Sequence, residues 1–333
     1  MRSDVVVWAP GRTRAVRGTT ALQVGSGRRA RVVDGLGPAD WAVVAGLDRG
    51  VDAARLDERG RWLVALLRGC GAVVPAVAAR VPDARGPGPE VAVVGGRGLG
   101  IVLTAVLAAS GAGTAALVDD ATVGPDDVLP GGACAGDVGR RAVHAAAEAV
   151  HRVAPLARTG CPAVPDLVVV VAERAHDAPA SAPLVQQGVT HVPVLLRDDD
   201  VLVGPLVVPG RGPCLHCVDL LHRDVDPAWP DAVRGLRARA LAGARPVPSA
   251  ATSAAVAAVV ARLSAAVLPR AVTAGAVAPP GAGARVDHDG EVEWERWSAH
   301  PACGCVGLPH DEATEGWVGP PGRGDRDGAT MAG

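Results

Sequence analysis

The chain of 333 residues has no Lys, Asn, Phe or Tyr, a single Ile (Ile101) and two Met. All 33 basic residues are therefore Arg, set against 35 acidic ones for a net charge of −2. The missing residue types have AT-rich codons, so the skew is that of a GC-rich, actinobacterial genome, and a missing Lys or Phe says little about function. Balanced charge supplies no field to hold a polyanion, which argues against nucleic acid as a partner. Seven Cys are too few to make a disulfide scaffold of a chain this long. No basic start with an apolar run behind it opens the sequence, since Met1-Arg2-Ser3-Asp4 leads straight into Val5–Trp8. The longest apolar stretch, Ser249–Pro269, carries Arg262 and several Ser, and reads as a buried Ala-rich helix, not a membrane span. A cytoplasmic, membrane-free protein of two domains is expected.

Residues 1–80 read as a small first module. Short strands (Val5–Trp8, Ala21–Val24, Ala30–Val33) are punctuated by Gly25-Ser26-Gly27, and two helical patterns follow. One places Trp41, Val44 and Leu47 on a single face. The other, Arg61–Cys70, does the same for Trp62, Leu63, Leu66 and Leu67, so Trp8, Trp41 and Trp62 are expected in the module's core. Few strands and short helices suit a winged-helix-like module. Pro and Gly make 81–90 a linker, and a Gly/Pro/Asp/Arg-rich tail, 311–333, is expected to be disordered.

Residues 91–310 alternate strand and helix. Val91–Val94 is a continuous apolar run, as a strand buried on both faces requires. Gly95-Gly96-Arg97-Gly98-Leu99-Gly100 then leads into an apolar helix, and Ala115–Val118 forms the next strand, ending at Asp119. A helix to Val153, a strand at Asp166–Val171, a helix near Ala182–Gly188 and strands at Val192–Leu196 and Val201–Val208 follow. The fold class is α/β, a Rossmann-like doubly wound parallel sheet. Pro227–Ala244 reads as a polar helix with Arg234, Arg237 and Arg239, more a solvated face than a binding patch, and Gly283–Trp297 as a hairpin about Asp289-Gly290.

A G-x-G-x-x-G turn between strand and helix offers backbone amides to phosphates. Here the motif is irregular: one register puts Arg97 in the middle slot and the other ends on Ile101, so Gly95, Gly96, Gly98 and Gly100 serve either as a phosphate cradle or as a packing device. Cys214-Leu215-His216-Cys217 and Cys303-Gly304-Cys305 are two close-spaced thiol pairs. Such pairs suit a tetrahedral structural zinc, each tight turn supplying two ligands, worth on the order of 10 kcal/mol to folding. His216 and His300 stand beside them as possible substitutes.

Val91–Gly100, Leu117-Val118-Asp119 and Asp137-Val138-Gly139-Arg140-Arg141 look like the ThiF/MoeB superfamily of adenylating enzymes related to ubiquitin-activating enzymes. The resemblance implies MgATP-driven adenylation of a peptide or small-protein carboxyl terminus, often by a homodimer. It also implies where the nucleotide machinery should lie, and most of it is missing. The aspartate pair ending the second strand falls on Asp119 and Ala121, the triphosphate-steadying Arg on Pro130, and the Lys on Ala142, with Arg140 or Arg141 as substitutes. The metal-binding Asp falls on Glu173. Losing those groups removes several kcal/mol of transition-state stabilisation, so a remnant site without ATP or magnesium is expected. Some members of the superfamily use a lone Cys as a thioester carrier. Cys134, in a Gly-rich loop, is the candidate, with an idle thiol as the plainer alternative.

Gly212–Cys217, Asp226-Pro227-Ala228-Trp229-Pro230 and Ser298–Cys305 are similar to the ThiF-like proteins that accompany YcaO cyclodehydratases in azole-modified peptide (bacteriocin) biosynthesis. That resemblance implies a leader-peptide recognition module over residues 1–80, which adds the leader as a strand to a sheet edge around Ala21, Leu22, Val24, Ala30, Val32 and Val33. It further implies a YcaO-type partner that carries out the ATP chemistry. The rival expectations are a working adenylyltransferase and a dinucleotide-binding reductase.

Overall fold

The computed structural model describes residues 4–27, 30–76, 88–242, 245–268 and 277–306. The chain divides into two compact units, Met1–Gly86 and Pro87–Gly333. Most of the expected linker and all of the expected tail lie outside the described residues.

The first unit runs β1 (Val5–Trp8), β2 (Arg14–Arg17), β3 (Ala21–Val24), β4 (Arg31–Val33), α1 (Pro38–Gly46), β5 (Val51–Asp52), α2 (Glu58–Gly69) and β6 (Val73–Pro75). These six strands form two antiparallel sheets, β5-β1-β6 and β2-β3-β4, richer in strand than the sequence pattern indicated. Alternation turns Val6 and Trp8 inward, where they meet Leu22, Leu47, Leu63 and Leu67 in one core. Asp40 in the first turn of α1 accepts a hydrogen bond from the Gly37 amide (2.9 Å) and pairs with Arg59 of α2 (3.1 Å), tying the two helices together. The Arg59 guanidinium and the Gly37 amide hold the Asp40 carboxyl below the usual carboxylate range.

Two expectations change here. The apolar stripe on α2 divides: Leu63 and Leu67 are buried, but Trp62 is 46% exposed and Leu66 37%. Trp62 is therefore a surface residue under the Arg59 guanidinium (4.4 Å to the ring centre), while Trp8 belongs to the core. The strand β2, unforeseen, is exposed at all four positions. It also makes β3 the central strand of its sheet, so the open edges are β2 and β4.

The second unit is built on β7 (Glu90–Val94), α3 (Arg97–Ala109), β8 (Thr114–Val118), α4 (Ala142–Val153), β9 (Leu167–Glu173), α5 (Ala178–Gln186), β10 (Thr190–Leu196) and β11 (Asp200–Val203). It continues through α6 (Leu215–Val225), α7 (Trp229–Ala242), α8 (Ala250–Leu263), β12 (Ala282–Asp287) and β13 (Val292–Arg296). The strands form one seven-stranded sheet in the order β13-β12-β11-β10-β9-β7-β8. β8, β7, β9 and β10 are parallel, whereas β10 to β13 pair antiparallel, so the sheet is mixed.

Helices cover both faces of this sheet. Side chains of α3, α4 and α8 share one core with β7 to β12. Leu184 of α5 packs on Ala92 and Val168 across the other face. Val91, Ala92 and Val93 are fully enclosed, which is why β7 is apolar at successive positions. The helix α6 was not foreseen; it begins immediately after Cys214. Among the described residues, no helix is long and apolar enough to cross a membrane.

Candidate functional site

The first candidate site lies at the carboxyl ends of β7, β8 and β9, where the strand order reverses and open α/β sheets hold ligands. Gly95 (φ 73°), Gly96 (φ 83°) and Arg97 (φ 44°) all lie in the left-handed region, and α3 starts at Arg97. The loops themselves fill the space this turn opens. A Cβ on Gly98 would lie 2.5 Å from the Asp127 carbonyl oxygen and 2.6 Å from its Cα, and one on Gly100 would overlap the Gly95 carbonyl. Both glycines therefore serve close packing.

The amides at the start of α3 are already engaged. Arg97 N–H donates to Asp119 Oδ2 (3.0 Å) and Gly98 N–H to Asp127 Oδ1 (3.2 Å). Asp119 also accepts from the Ala121 amide at 2.9 Å.

A residue that sequence reasoning missed closes the crevice. Arg245 places Nε 2.7 Å from Glu173 Oε1 and Nη1 3.4 Å from Asp127 Oδ1. Burial opposes the charge on Arg245, but the two carboxylates outweigh it and raise the guanidinium above its ordinary value. Pro246, Val247 and Pro248 follow against Gly96, Gly98 and Leu129, and the remaining cavity is about 10 Å³. That is room for about one water molecule. No signal in the sequence identified Arg245, because its partners are 72 and 118 residues away.

The other expected nucleotide residues are turned to different uses. Arg140 pairs with Asp137 (2.7 Å) and Glu148 (2.5 Å), and Arg141 with Asp120 (2.7 Å). Cys134 donates its thiol proton to Asp137 Oδ2 (3.1 Å). Activated thiolates sit beside cations or a histidine base, and the neighbour here is a carboxylate. Arg234, Arg237 and Arg239 do not form one patch: Arg234 pairs with Asp231, and Arg237 donates to the His176 carbonyl (2.9 Å).

The cysteine constellation assembles. Cys214 caps α6, Cys217 lies within its first turn, and Cys303 and Cys305 flank Gly304, whose φ of 68° allows the tight bend. The first pair is thus carried on a helix start and only the second on a turn. The Sγ atoms are 3.5 Å apart for Cys214–Cys303, 3.3 Å for Cys217–Cys305 and 4.0 Å for Cys214–Cys217, and all four lie within 4.8 Å of one another. Zinc–thiolate bonds in a tetrahedron put sulfurs roughly 3.8 Å apart, so these four donors fit such an ion.

Burial and neighbouring thiols push Cys305 up to about 12 and Cys303 higher still. Burial works the same way on Cys217, but hydrogen bonds from the His300 and Cys214 backbone outweigh it and leave that thiol lower than usual. A divalent ion would favour the thiolate at all four. His300 pairs with Asp224 (2.8 Å) and His216 is exposed, so neither histidine joins the four.

In the first unit, Ala21, Leu22 and Val24 lie in the central strand and are buried. Ala30 precedes β4 and bonds back to the Gly27 carbonyl (3.0 Å). The open edge on this side is Arg31–Val33, with Val33 turned into the core and Val32 49% exposed.

No protein-family model matches the sequence, and no curated protein matches it. Solved structures do. Escherichia coli MccB superposes with a TM-score of 0.62 at 15% identity, over 93% of this chain and 98% of its own. The same microcin C7 biosynthetic enzyme in complex with N-formylated MccA gives 0.61 at 15% identity, over 91% and 100%. The heterocyclase TruD gives 0.52 at 15% identity, over 91% of this chain and 43% of its own. The fold is the one these structures share.

Within this fold the two candidate centres differ in what they accommodate. The four cysteines fit a metal ion. The crevice does not fit a magnesium nucleotide as it stands, since its amides, its carboxylates and its volume are taken up by the chain itself.

Proposed function

We propose that this chain binds the leader segment of a ribosomal precursor peptide and presents the peptide to a YcaO-type cyclodehydratase, its own nucleotide site having lapsed. The likeness to an enzyme solved with bound MccA covers 91% of this chain, more than the second unit alone can account for, so it reaches into the N-terminal module. That observation carries the reading. TruD, a heterocyclase, falls among the same neighbours.

The leader would add to β4, whose outer edge takes no strand among the described residues. Main-chain hydrogen bonds would give affinity, and alternate side chains would read Val32 and its surroundings. Charge supports an acidic leader: residues 1–86 hold 14 Arg against 8 acidic residues, while 87–333 hold 19 against 27. The zinc-braced ThiF-like unit would serve as the docking body for the partner enzyme.

The test is fluorescence anisotropy of a labelled acidic peptide of leader type, about 20 residues long, titrated with wild type and with Val32→Pro. Proline removes an edge donor and clashes with an added strand. Binding to the wild type with about tenfold or greater loss in the variant is expected; equal binding by both would refute strand addition at β4.

A second reading, adenylation of a peptide carboxylate, is favoured by one observation: MccB, with the same fold at a TM-score of 0.60, was solved with ATP. ATP–pyrophosphate exchange dependent on the peptide would establish it.

A further inference from the structure

The crevice holds an imbalance of charge that its position makes informative. Asp127 is 4% exposed and Glu173 8%, two carboxylates almost wholly removed from water. One cation, Arg245, stands between them, bonded to Glu173 Oε1 and Asp127 Oδ1. Asp127 is further satisfied by the Gly98 amide on Oδ1 and the Gly124 amide on Oδ2 (2.8 Å). Glu173 Oε2 is buried with no hydrogen-bond partner among the described residues. A buried carboxylate pair needs a cation of its own or it gives up its charge. Pro246 follows Arg245 directly, and with Pro248 it stiffens this strap, which lines the same cavity as Gly96 and Gly98 of the glycine turn.

We propose that Arg245 is a built-in cation, holding Asp127 and Glu173 together where a divalent ion would otherwise bind, so that the ThiF-like unit is closed to magnesium nucleotides by its own chain. The guanidinium supplies one positive charge against two negative ones and leaves Glu173 Oε2 unmet. Withdrawing it therefore uncovers a two-carboxylate pocket that a hard divalent cation with oxygen ligands would fill. This deepens the reading of a lapsed nucleotide site and rests on it. Leader binding involves the other unit and should be unaffected by the same substitution, so the two ideas fail separately.

The probe is MnCl2 alone, its free ion counted by electron paramagnetic resonance in the presence of the full chain. Wild type should take up no Mn²⁺ that Glu173→Gln can release. Arg245→Met should bind one ion, and lose it again when Glu173→Gln is added. The melting temperature of Arg245→Met should rise with Mg²⁺ while that of wild type stays put. A folded Arg245→Met that binds no ion overturns the proposal. If that variant does not fold, wild type decides: an equivalent of Mn²⁺ lost in Glu173→Gln overturns it, and the absence of such an ion supports it.

Discussion

Removing the metal from the four-cysteine centre should weaken the fold by an amount the structure allows to be worked out. Cys217 and Cys305 stand 88 residues apart in sequence and 3.3 Å apart at sulfur, so an ion between them closes a loop of that length. The chain-entropy relation for a cross-link over such a loop gives about 4.6 kcal/mol at room temperature. At roughly 2–4 °C per kcal/mol for a unit of this size, stripping the ion should lower the melting temperature by about 9–18 °C. The assay is zinc analysis of the native protein, followed by thermal unfolding with and without a strong chelator. Cys217→Ser should behave like the stripped protein and gain nothing from added zinc. Less than half an equivalent of zinc in the native protein, or a chelator shift of under about 3 °C, would refute the reasoning.

Two further outcomes follow from packing and burial. Gly98→Ala should cost about 2–3 kcal/mol, because its methyl group would meet backbone atoms of Asp127 that cannot rotate aside; an unchanged urea midpoint would contradict the packing role. His191 is fully enclosed on β10 and burial lowers it from 6.5 to about 4. Above 6.5 both states are neutral there; below it the unfolded chain gains a proton that the folded chain refuses, so stability falls as pH drops from 6.5 toward 4. By pH 5 the loss from this residue should be about 2 kcal/mol, and His191→Gln should lack that part of the pH dependence in parallel urea titrations.

The second unit was legible in the sequence wherever a strand was buried on both faces. The run at β7 and the Gly turn into α3 have no other sensible fold, and the Asp289-Gly290 turn announced the hairpin of β12 and β13. The cysteine pairs were legible for the same reason, as short-range spacing survives any fold. What escaped notice lacked local signal. β2 is exposed at every position and so shows no alternation. Its invisibility led the sheet edge to be placed on Ala21–Val24, when pairing with β2 makes that strand central. Trp62 satisfied helical periodicity yet faces solvent, because periodicity marks a stripe but not its width. Arg245 became meaningful only once distant loops brought Asp127 and Glu173 to it.

The substitutions at Pro130, Ala121 and Ala142 and the closed crevice agree with one another although they come from different parts of the chain. On the function proposed above, the first lack groups that a nucleotide would need, and the second fills the space it would occupy. On that same proposal, a fold of this kind with such a crevice keeps a framework for holding a peptide without the means to activate it.

One mass-spectrometric experiment addresses that claim directly. The purified chain, a short Cys/Ser/Thr-rich precursor peptide with an acidic leader and MgATP are incubated with and without a YcaO-type cyclodehydratase, and the peptide is weighed. The account predicts an unchanged peptide without the partner and the loss of one water per ring with it, this chain being required for that loss. An AMP adduct on the peptide's carboxyl terminus when this chain acts alone would contradict it.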